Sequence, residues 1–289
     1  MRVSAYFAFL SSLTLTNVVI ADHHGADTQV KDDVIAKQRT ELQNNTAGKG
    51  FGPQSPRDID VITGKNPNLF SFAPAYSKMN LCNIHFHAGA EHKGGEFTRY
   101  AGNGDGKGYN SGYLYSGSLN KKQRMPLKNK AICSGKHGSL AVGDTIEAHY
   151  VFSSASVSPG PTLGSCLATK VTHNPQLRVE AQVYVLVNDS DAKALNFETL
   201  AAHAVRNGFH QALNIPANTG TPIEYRGSTT GPSFNTKGSP FQVTWSVRPK
   251  VAFVKATTVD AWCKSNTFNE GYAHGVRNLV VNPDLLSNN

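Results

Sequence analysis

The segment Leu81–His87 (LCNIHFH) alternates polar and apolar side chains around two histidines. In a β-strand, side chains at alternate positions lie on the same face of the sheet. Asn83, His85 and His87 are therefore predicted to share one face, while Cys82 and the intervening apolar residues pack into the core. This pattern restricts the segment to a half-buried strand whose polar face brings two imidazoles together.

Residues 145–152 (TIEAHYVF) repeat the alternation and place Glu147, His149 and Val151 on one face. His149 can complete a set of three imidazole nitrogens with the two histidines of the first strand. Three protein ligands leave one tetrahedral position open, which is the arrangement of catalytic zinc sites. Glu147 is placed to accept the outward N–H of an imidazole, and a plain surface carboxylate is the alternative interpretation.

Other short runs rich in β-branched and aromatic residues are bounded by Gly, Pro, Asn or Asp, and they predict strands at 179–188 and 241–254. Helical spacing of apolar residues predicts a helix over 197–212 and a peripheral helix within 22–50. The fold class predicted from these elements is mainly β (α+β). It is a single domain in which a central twisted sheet carries the zinc site and a few helices lie on the surface.

The N-terminus has the features of a secretion signal. A positive start is followed by the uncharged, mainly apolar run Val3–Ile20 and then by Ala21. We predict a signal peptide at 1–21, a polar extension at 22–50 and a catalytic domain at 51–289. The length of the remainder fits one domain. The protein is expected to be periplasmic or secreted, with no stable membrane anchor after cleavage.

The 289-residue chain carries a formal net charge of +8, which raises the question of a nucleic-acid partner. Its densest basic cluster, residues 121–130 (KKQRMPLKNK), has no interleaved aromatic residue. We interpret this cluster as a solvated loop and predict no nucleic-acid partner. The overall field would still attract small anions.

The four cysteines are Cys82, Cys133, Cys166 and Cys263, and none forms a CxxC pair. A thiolate zinc site is therefore not expected, and in an oxidising compartment an even number of cysteines predicts disulfides. The sequence leaves three pairings open. A bridge from Cys82 to Cys263 would brace the ligand strand, and we take it as the expectation to test.

Five short motifs, in one order, resemble those of carbonic anhydrases. They are QSPRDI at 54–59, HFHAGAEH at 85–92, IEAH at 146–149, YRGSTTGP at 225–232 and VTW at 243–245. Their order is that of the alpha-class enzymes. The block NIHFHAGAEHKGGEF and the long spacing between the second and third histidines are closer to the delta class, including its bacterial members. The chain is therefore identified as a suspected delta-class carbonic anhydrase with alpha-class-like motifs.

The resemblance implies an alpha-carbonic-anhydrase-like fold and a zinc lyase. Its Zn²⁺ would be held by His85, His87 and His149. The implied reaction is reversible hydration of carbon dioxide to bicarbonate and a proton, by attack of zinc-bound hydroxide. The expected partner is thus a small-molecule substrate.

The resemblance also assigns residues that do not bind the metal. Thr230 would orient the attacking oxygen and pass its own proton towards Glu91, with Thr229 as the alternative if the alignment shifts by one residue. Val151 would border the carbon dioxide pocket. A histidine is suited to carry the released proton to solvent, and the candidates are His137, His173, His203 and His210.

Two other functions remain open from the sequence. The pair His85 and His87 followed by Glu91 also resembles cupins, with His149 as the distant third histidine, and such sites run iron or manganese oxygenase or isomerase chemistry. The glycine that cupins place six residues before the first histidine is missing here. The other alternative is a non-catalytic, carbonic-anhydrase-related binding protein, although such proteins lose a ligand and this chain keeps all three.

Overall fold

A computed structural model describes residues 29–128, 131–167 and 175–288. The predicted signal peptide and His173 lie outside the described residues. Across the described ranges, none of the helices combines the length and the apolar character that a membrane span requires.

Strands make up most of the regular structure. In chain order they are β1 (Asn80–Ala88), β2 (Arg99–Tyr100), β3 (Tyr113–Leu114), β4 (Ile132–Gly135), β5 (Gly138–Leu140), β6 (Thr145–Ser153), β7 (Leu177–Val187), β8 (His203–Arg206), β9 (Phe209–Ala212), β10 (Ile223–Ser228), β11 (Gln242–Val247) and β12 (Ala252–Lys255). The α-helices are α1 (Asp32–Thr46), α2 (Phe197–Leu200) and α3 (Ala256–Lys264). Short 3₁₀ turns lie at Tyr76–Lys78, Leu163–Cys166, Pro232–Phe234 and Pro283–Leu285.

One six-stranded sheet organises the chain. Its order is β1-β6-β7-β11-β10, and β12 also pairs with β7. Strands β11 and β12 run parallel to β7, whereas the other neighbours in the sheet are antiparallel. The sheet is therefore mixed, and the prediction of a mainly β fold with a central sheet and few helices is confirmed.

The strand predicted at 241–254 is two strands, β11 and β12. Between them lies Pro249, which has no N–H for a sheet ladder. Both strands lie along β7, the first beside its start and the second beside its end. The peripheral helix predicted within 22–50 is α1, which buries Ile35 and Leu42.

The helix predicted over 197–212 is wrong beyond its first turn. Only α2 is helical there, and β8 and β9 form an antiparallel hairpin. Asn207 and Gly208 connect them with φ values of 50° and 82°. Two successive positive φ values match the tight turn that Asn-Gly favours between strands, so local turn chemistry prevails over the helical spacing of apolar residues.

The two faces of the sheet have the predicted characters. Ile84, Phe86 and the alternate apolar residues of β6 belong to a large core that also includes Trp262 of α3. Val151 belongs to a second cluster on the histidine side, with Val179 and Trp245. Alternation in β1 and β6 thus puts packing on one face and leaves the other face for chemistry.

Cys82 departs from this alternation. The register of β1 against β6 shifts between Leu81 and Asn83, which is a β-bulge. Leu81 joins the large core, whereas Cys82 joins the cluster on the histidine side. The prediction that Cys82 packs on the face opposite the histidines is therefore wrong, because the extra residue of the bulge moves the Cys82 side chain to the histidine face.

The cysteines form two disulfides, Cys82–Cys166 and Cys133–Cys263. The expected pairing of Cys82 with Cys263 is wrong because the bulge aims Cys82 at the 3₁₀ turn that ends at Cys166. Cys263 instead ties α3 to β4. Two disulfides are typical of proteins in an oxidising, extracytoplasmic environment.

Replacing both Cys82 and Cys166 with serine should lower the free energy of unfolding by about 2–5 kcal/mol, because the bridge closes a long loop and both cysteines are buried. Thermal unfolding of this double variant should be compared with that of the parent protein in which both disulfides are formed. Serine replacement of Cys133 and Cys263 removes the other bridge and measures its separate contribution to stability. Unchanged melting of the first double variant would contradict the expected stabilisation by the Cys82–Cys166 bridge.

Candidate metal centre

The pairing of β1 with β6 brings the three predicted ligands together. His85 lies directly opposite His149, and His87 lies opposite Glu147. One ring nitrogen from each of the three histidines lies within 4.8 Å of those of the other two. His87 and His149 are buried, and His85 is partly exposed at the cavity.

The opposite nitrogen of each imidazole has an oxygen partner. His85 Nδ1 lies 2.6 Å from Asn83 Oδ1, and His87 Nδ1 lies 3.0 Å from the carbonyl oxygen of Gly275. His149 Nε2 lies 3.1 Å from Glu147 Oε1. Such outer partners fix the tautomer and the ring orientation of metal-binding histidines. His85 and His87 therefore present Nε2, and His149 presents Nδ1, to one common point.

This donor set fits a zinc ion. Nε2 of His87 is buried and has no hydrogen-bond partner among the described residues. His85 Nε2 and His149 Nδ1 lie 3.3 Å apart. Tetrahedral zinc with Zn–N bonds of about 2.0–2.1 Å separates two ligand nitrogens by roughly 3.4 Å. Burial and the neighbouring rings keep the pKa of His85 well below its usual range, and burial lowers the pKa of His87 to about 3. The imidazoles are thus neutral, as metal binding requires.

Glu147 is a buried hub behind the ligands. Its Oε2 accepts hydrogen bonds from the backbone N–H groups of Glu91 and His92, and its Oε1 lies 2.6 Å from His92 Nδ1. Burial alone would raise the pKa of Glu147, but the neighbouring His92 ring and the hydrogen bonds from His149 and His92 hold it well below its usual value. Glu147 therefore remains ionised, and the surface interpretation is wrong because its side chain is fully buried.

His92 continues this network away from the ligands. Its Nε2 lies 2.7 Å from the hydroxyl of Tyr225, which donates to Ser55 Oγ. In the described part of the chain, a second group of side chains could also hold a metal ion, namely His92, Glu147 and His149. The atoms of this group are already engaged in hydrogen bonds with one another. Its role is to fix Glu147 and, through it, His149.

Glu91 and Thr230 lie next to the ligand set. Glu91 Oε1 accepts a 2.7 Å hydrogen bond from the N–H of Arg277, and it lies 3.6 Å from His87 Nδ1. Burial raises the pKa of Glu91, and the Thr230 hydroxyl and the Arg277 amide act in the opposite direction. Oε2 of Glu91 has no well-formed hydrogen bond in the described part of the chain.

An open cavity of about 360 Å³ reaches the three histidines. Its apolar wall includes Val151, Val179, Phe241 and Trp245, and both threonines of the 229–230 pair also line it. The Thr229 hydroxyl is already hydrogen-bonded to Ser239 Oγ. The Thr230 hydroxyl instead acts on Glu91 and lowers the pKa of that carboxyl.

Comparison with known families shows which family the chain belongs to. The sequence profile described as delta carbonic anhydrase matches residues 76–258, more than half of the chain. The chain belongs to the delta carbonic anhydrase family. All three histidines, Glu91 and both threonines lie within the matched region.

Two solved carbonic anhydrase structures resemble the chain at low similarity. The alpha-carbonic anhydrase from Thermovibrio ammonificans, in complex with the inhibitor sulfanilamide, is 14% identical over 78% of this chain and 83% of that chain, with a TM-score of 0.26. The Photobacterium profundum alpha-carbonic anhydrase is 15% identical over 80% of this chain and 87% of that chain, with a TM-score of 0.25. No similar sequence was found among curated proteins.

This delta-family chain also has a cavity histidine that the sequence did not single out. His274 lies 5.5 Å from His85, measured between ring centres, and its Nε2 is 2.6 Å from Glu270 Oε2. In the sequence, the four-residue spacing between Glu270 and His274 is the local feature that indicates this pairing. Of the predicted proton carriers, His137 stacks on the cavity residue Tyr109.

Proposed function

We propose that the chain catalyses reversible hydration of carbon dioxide to bicarbonate and a proton, with one Zn²⁺ on His85, His87 and His149. The observation that carries this proposal is the set of three neutral imidazoles with every outward nitrogen already held by an oxygen. A site prepared in this way can bind a metal with little rearrangement. A fourth direction remains open to the cavity.

Zinc bound at this centre would supply a water acidified to a pKa of about 7, an effect for which carbonic anhydrase is itself the reference example. The residues around it have separate tasks. Val151, Val179 and Trp245 offer an apolar wall against which carbon dioxide can lie. Asn83 and Glu147 hold the rings of His85 and His149 in place.

Thr230 and Glu91 would set the direction of attack. A threonine hydroxyl has one hydrogen. If Thr230 donates it in a hydrogen bond to Glu91, its oxygen can only accept a hydrogen bond from the attacking oxygen. That arrangement turns a lone pair of the oxygen towards the carbon of carbon dioxide. Preorganised polar groups of this kind act without reorganising during the reaction.

The competing functions are less well supported. A cupin centre would use the carboxylate of Glu91 as a ligand. In the described part of the chain, Glu91 is not a member of either cluster of metal-type side chains, and its Oε1 accepts from a backbone amide instead. A binding protein without catalysis would be expected to lack a ligand, whereas all three converge here.

Purified protein should hydrate carbon dioxide in a stopped-flow assay, lose that activity when a chelator removes the metal, and regain it with added Zn²⁺. Dialysed protein treated with buffer alone is the control. Iron-dependent oxygen consumption without hydration would favour the cupin alternative. A zinc-loaded protein with no hydration activity would favour the binding alternative.

A further inference from the structure

A late segment of the chain lies along the free edge of β1, on the side opposite β6. We name residues 273–277 the C-terminal strap. The N–H of Ala88 donates to the carbonyl oxygen of His274 at 3.0 Å, and the N–H of His274 donates to that of Phe86 at 2.8 Å. The strap is therefore held against the ligand strand by backbone hydrogen bonds, and it lies outside the region matched by the family profile.

The strap supplies two backbone groups to the candidate centre. The carbonyl oxygen of Gly275 lies at His87 Nδ1, and the N–H of Arg277 donates to Glu91 Oε1 at 2.7 Å. The other oxygen of Glu91 has no well-formed partner among the described residues. The Arg277 amide thus makes a well-formed hydrogen bond to this carboxyl group, and its position helps to orient the carboxyl beside the Thr230 hydroxyl.

The side chain of Arg277 fixes that amide to a distant part of the sequence. Its guanidinium donates from Nη1 to the carbonyl oxygen of Ser55 at 2.6 Å and from Nη2 to Gln54 Oε1 at 3.2 Å. Its Cζ lies 5.7 Å from the ring centre of Phe234, a cavity residue. Arg277 thus joins the N-terminal QSP motif, the cavity wall and the strap.

Arg277, like Arg57, is a buried cation. Arg178 and Arg248 pair with the carboxylate of Glu180, but in the described ranges Arg277 has no ion pair and is only 1% exposed. Burial lowers its pKa to about 10, which still leaves it charged at neutral pH. Burying an unpaired charge is costly. What distinguishes Arg277 from Arg57 is its own backbone N–H, which donates to Glu91 Oε1.

We propose that Arg277 is a positioning residue for Glu91: its guanidinium ties the strap to Gln54 and Ser55 and so holds its own amide at the carboxyl group. This inference rests on the proposed hydration function, in which Glu91 orients Thr230. Arg277 does not contact the metal ligands through its side chain, and its effect on them passes through the backbone. A lysine at this position has a single ammonium group and lacks the planar guanidinium fork that reaches both acceptors.

The test compares Arg277→Lys with Arg57→Lys. Arg57 is a matched control because it is also buried and also anchors backbone, at Val61 and Ser287, without a hydrogen bond to Glu91. Arg277→Lys should lower kcat on the order of tenfold, in the range seen for outer partners of metal sites, with zinc content unchanged. Arg57→Lys should reduce thermal stability with little change in kcat.

A double-mutant cycle with Glu91→Gln separates positioning from general stability. If Arg277 acts through Glu91, adding Arg277→Lys to Glu91→Gln should lower kcat by less than about twofold further. A full tenfold loss in the Glu91→Gln background would overturn the proposal. Equal losses of kcat in the two arginine variants would overturn it as well.

Backbone hydrogen exchange gives a readout that does not need the metal or the reaction. The Arg277 amide should exchange faster in Glu91→Ala and in Arg277→Lys than in parent protein, and at the parent rate in Arg57→Lys. If Arg277→Lys does not fold, Gln54→Met loosens the same anchor from its other end, and unchanged exchange there would refute the anchor. Parent protein without hydration activity would defeat the proposed function, while the exchange result would still decide the anchor.

Discussion

His149→Ala should leave the protein with no more than a trace of bound zinc and with no measurable hydration of carbon dioxide. The substitution reduces three converging nitrogens to two, and it also removes one of the two partners of Glu147 Oε1. Loss of an outer partner alone costs about 10–100-fold in metal affinity. Loss of a direct ligand should therefore cost more. Metal analysis and stopped-flow hydration of the same preparation measure both effects.

His210→Ala is the matched control, because His210 lies on β9 and is not among the cavity residues. It should keep about one zinc per chain, and because His210 is also a candidate proton carrier, the comparison with His149→Ala is made on zinc content. Full zinc occupancy in His149→Ala would refute the ligand assignment. Iron retained by His149→Ala but lost in Glu91→Ala would instead favour the cupin alternative.

The site could be predicted from sequence where its pattern is local. In β1 and β6 the alternation of side chains fixes which residues share a face, and one antiparallel pairing then places His85 opposite His149. Glu147 was predicted as an outer partner for the same reason, since it lies two residues from His149. Pattern within nine residues was enough for these positions.

The rest depends on contacts between distant segments. Gly275 and Arg277 are far from β1 in sequence, and no local pattern indicates that their backbone groups face His87 and Glu91. The bulge at Cys82 is also invisible in the alternation, and it changes the disulfide partner. These features follow from tertiary packing, which intrinsic preferences do not encode.

The hairpin at β8 and β9 is a different kind of error. Its signal was present, because Asn207-Gly208 is a strong turn pair between short runs of residues that favour strands. The apolar spacing over 197–212 indicates a helix, and the turn pair overrides it. Turn chemistry should take precedence where both φ values must be positive.

Thr230→Ala should keep zinc but slow hydration on the order of a hundredfold, the loss that follows removal of one preorganised polar group. Thr230 lines the cavity beside the three histidines, and its hydroxyl acts on Glu91 and lowers the pKa of that carboxyl. Glu91→Gln should act similarly, since an amide can donate to the threonine and reverse the hydrogen bond. Zinc content, melting temperature and hydration rate are to be measured on the same preparations.

Thr229→Ala is the closest comparison for this prediction. Its hydroxyl is bonded to Ser239, so its removal should slow hydration far less than removal of the Thr230 hydroxyl. A purely structural role for Thr230 would lower the melting temperature and leave the hydration rate per bound zinc unchanged. If both threonine variants hydrate carbon dioxide at the parent rate, neither hydroxyl orients the attacking oxygen, and the catalytic role of Glu91 fails with them.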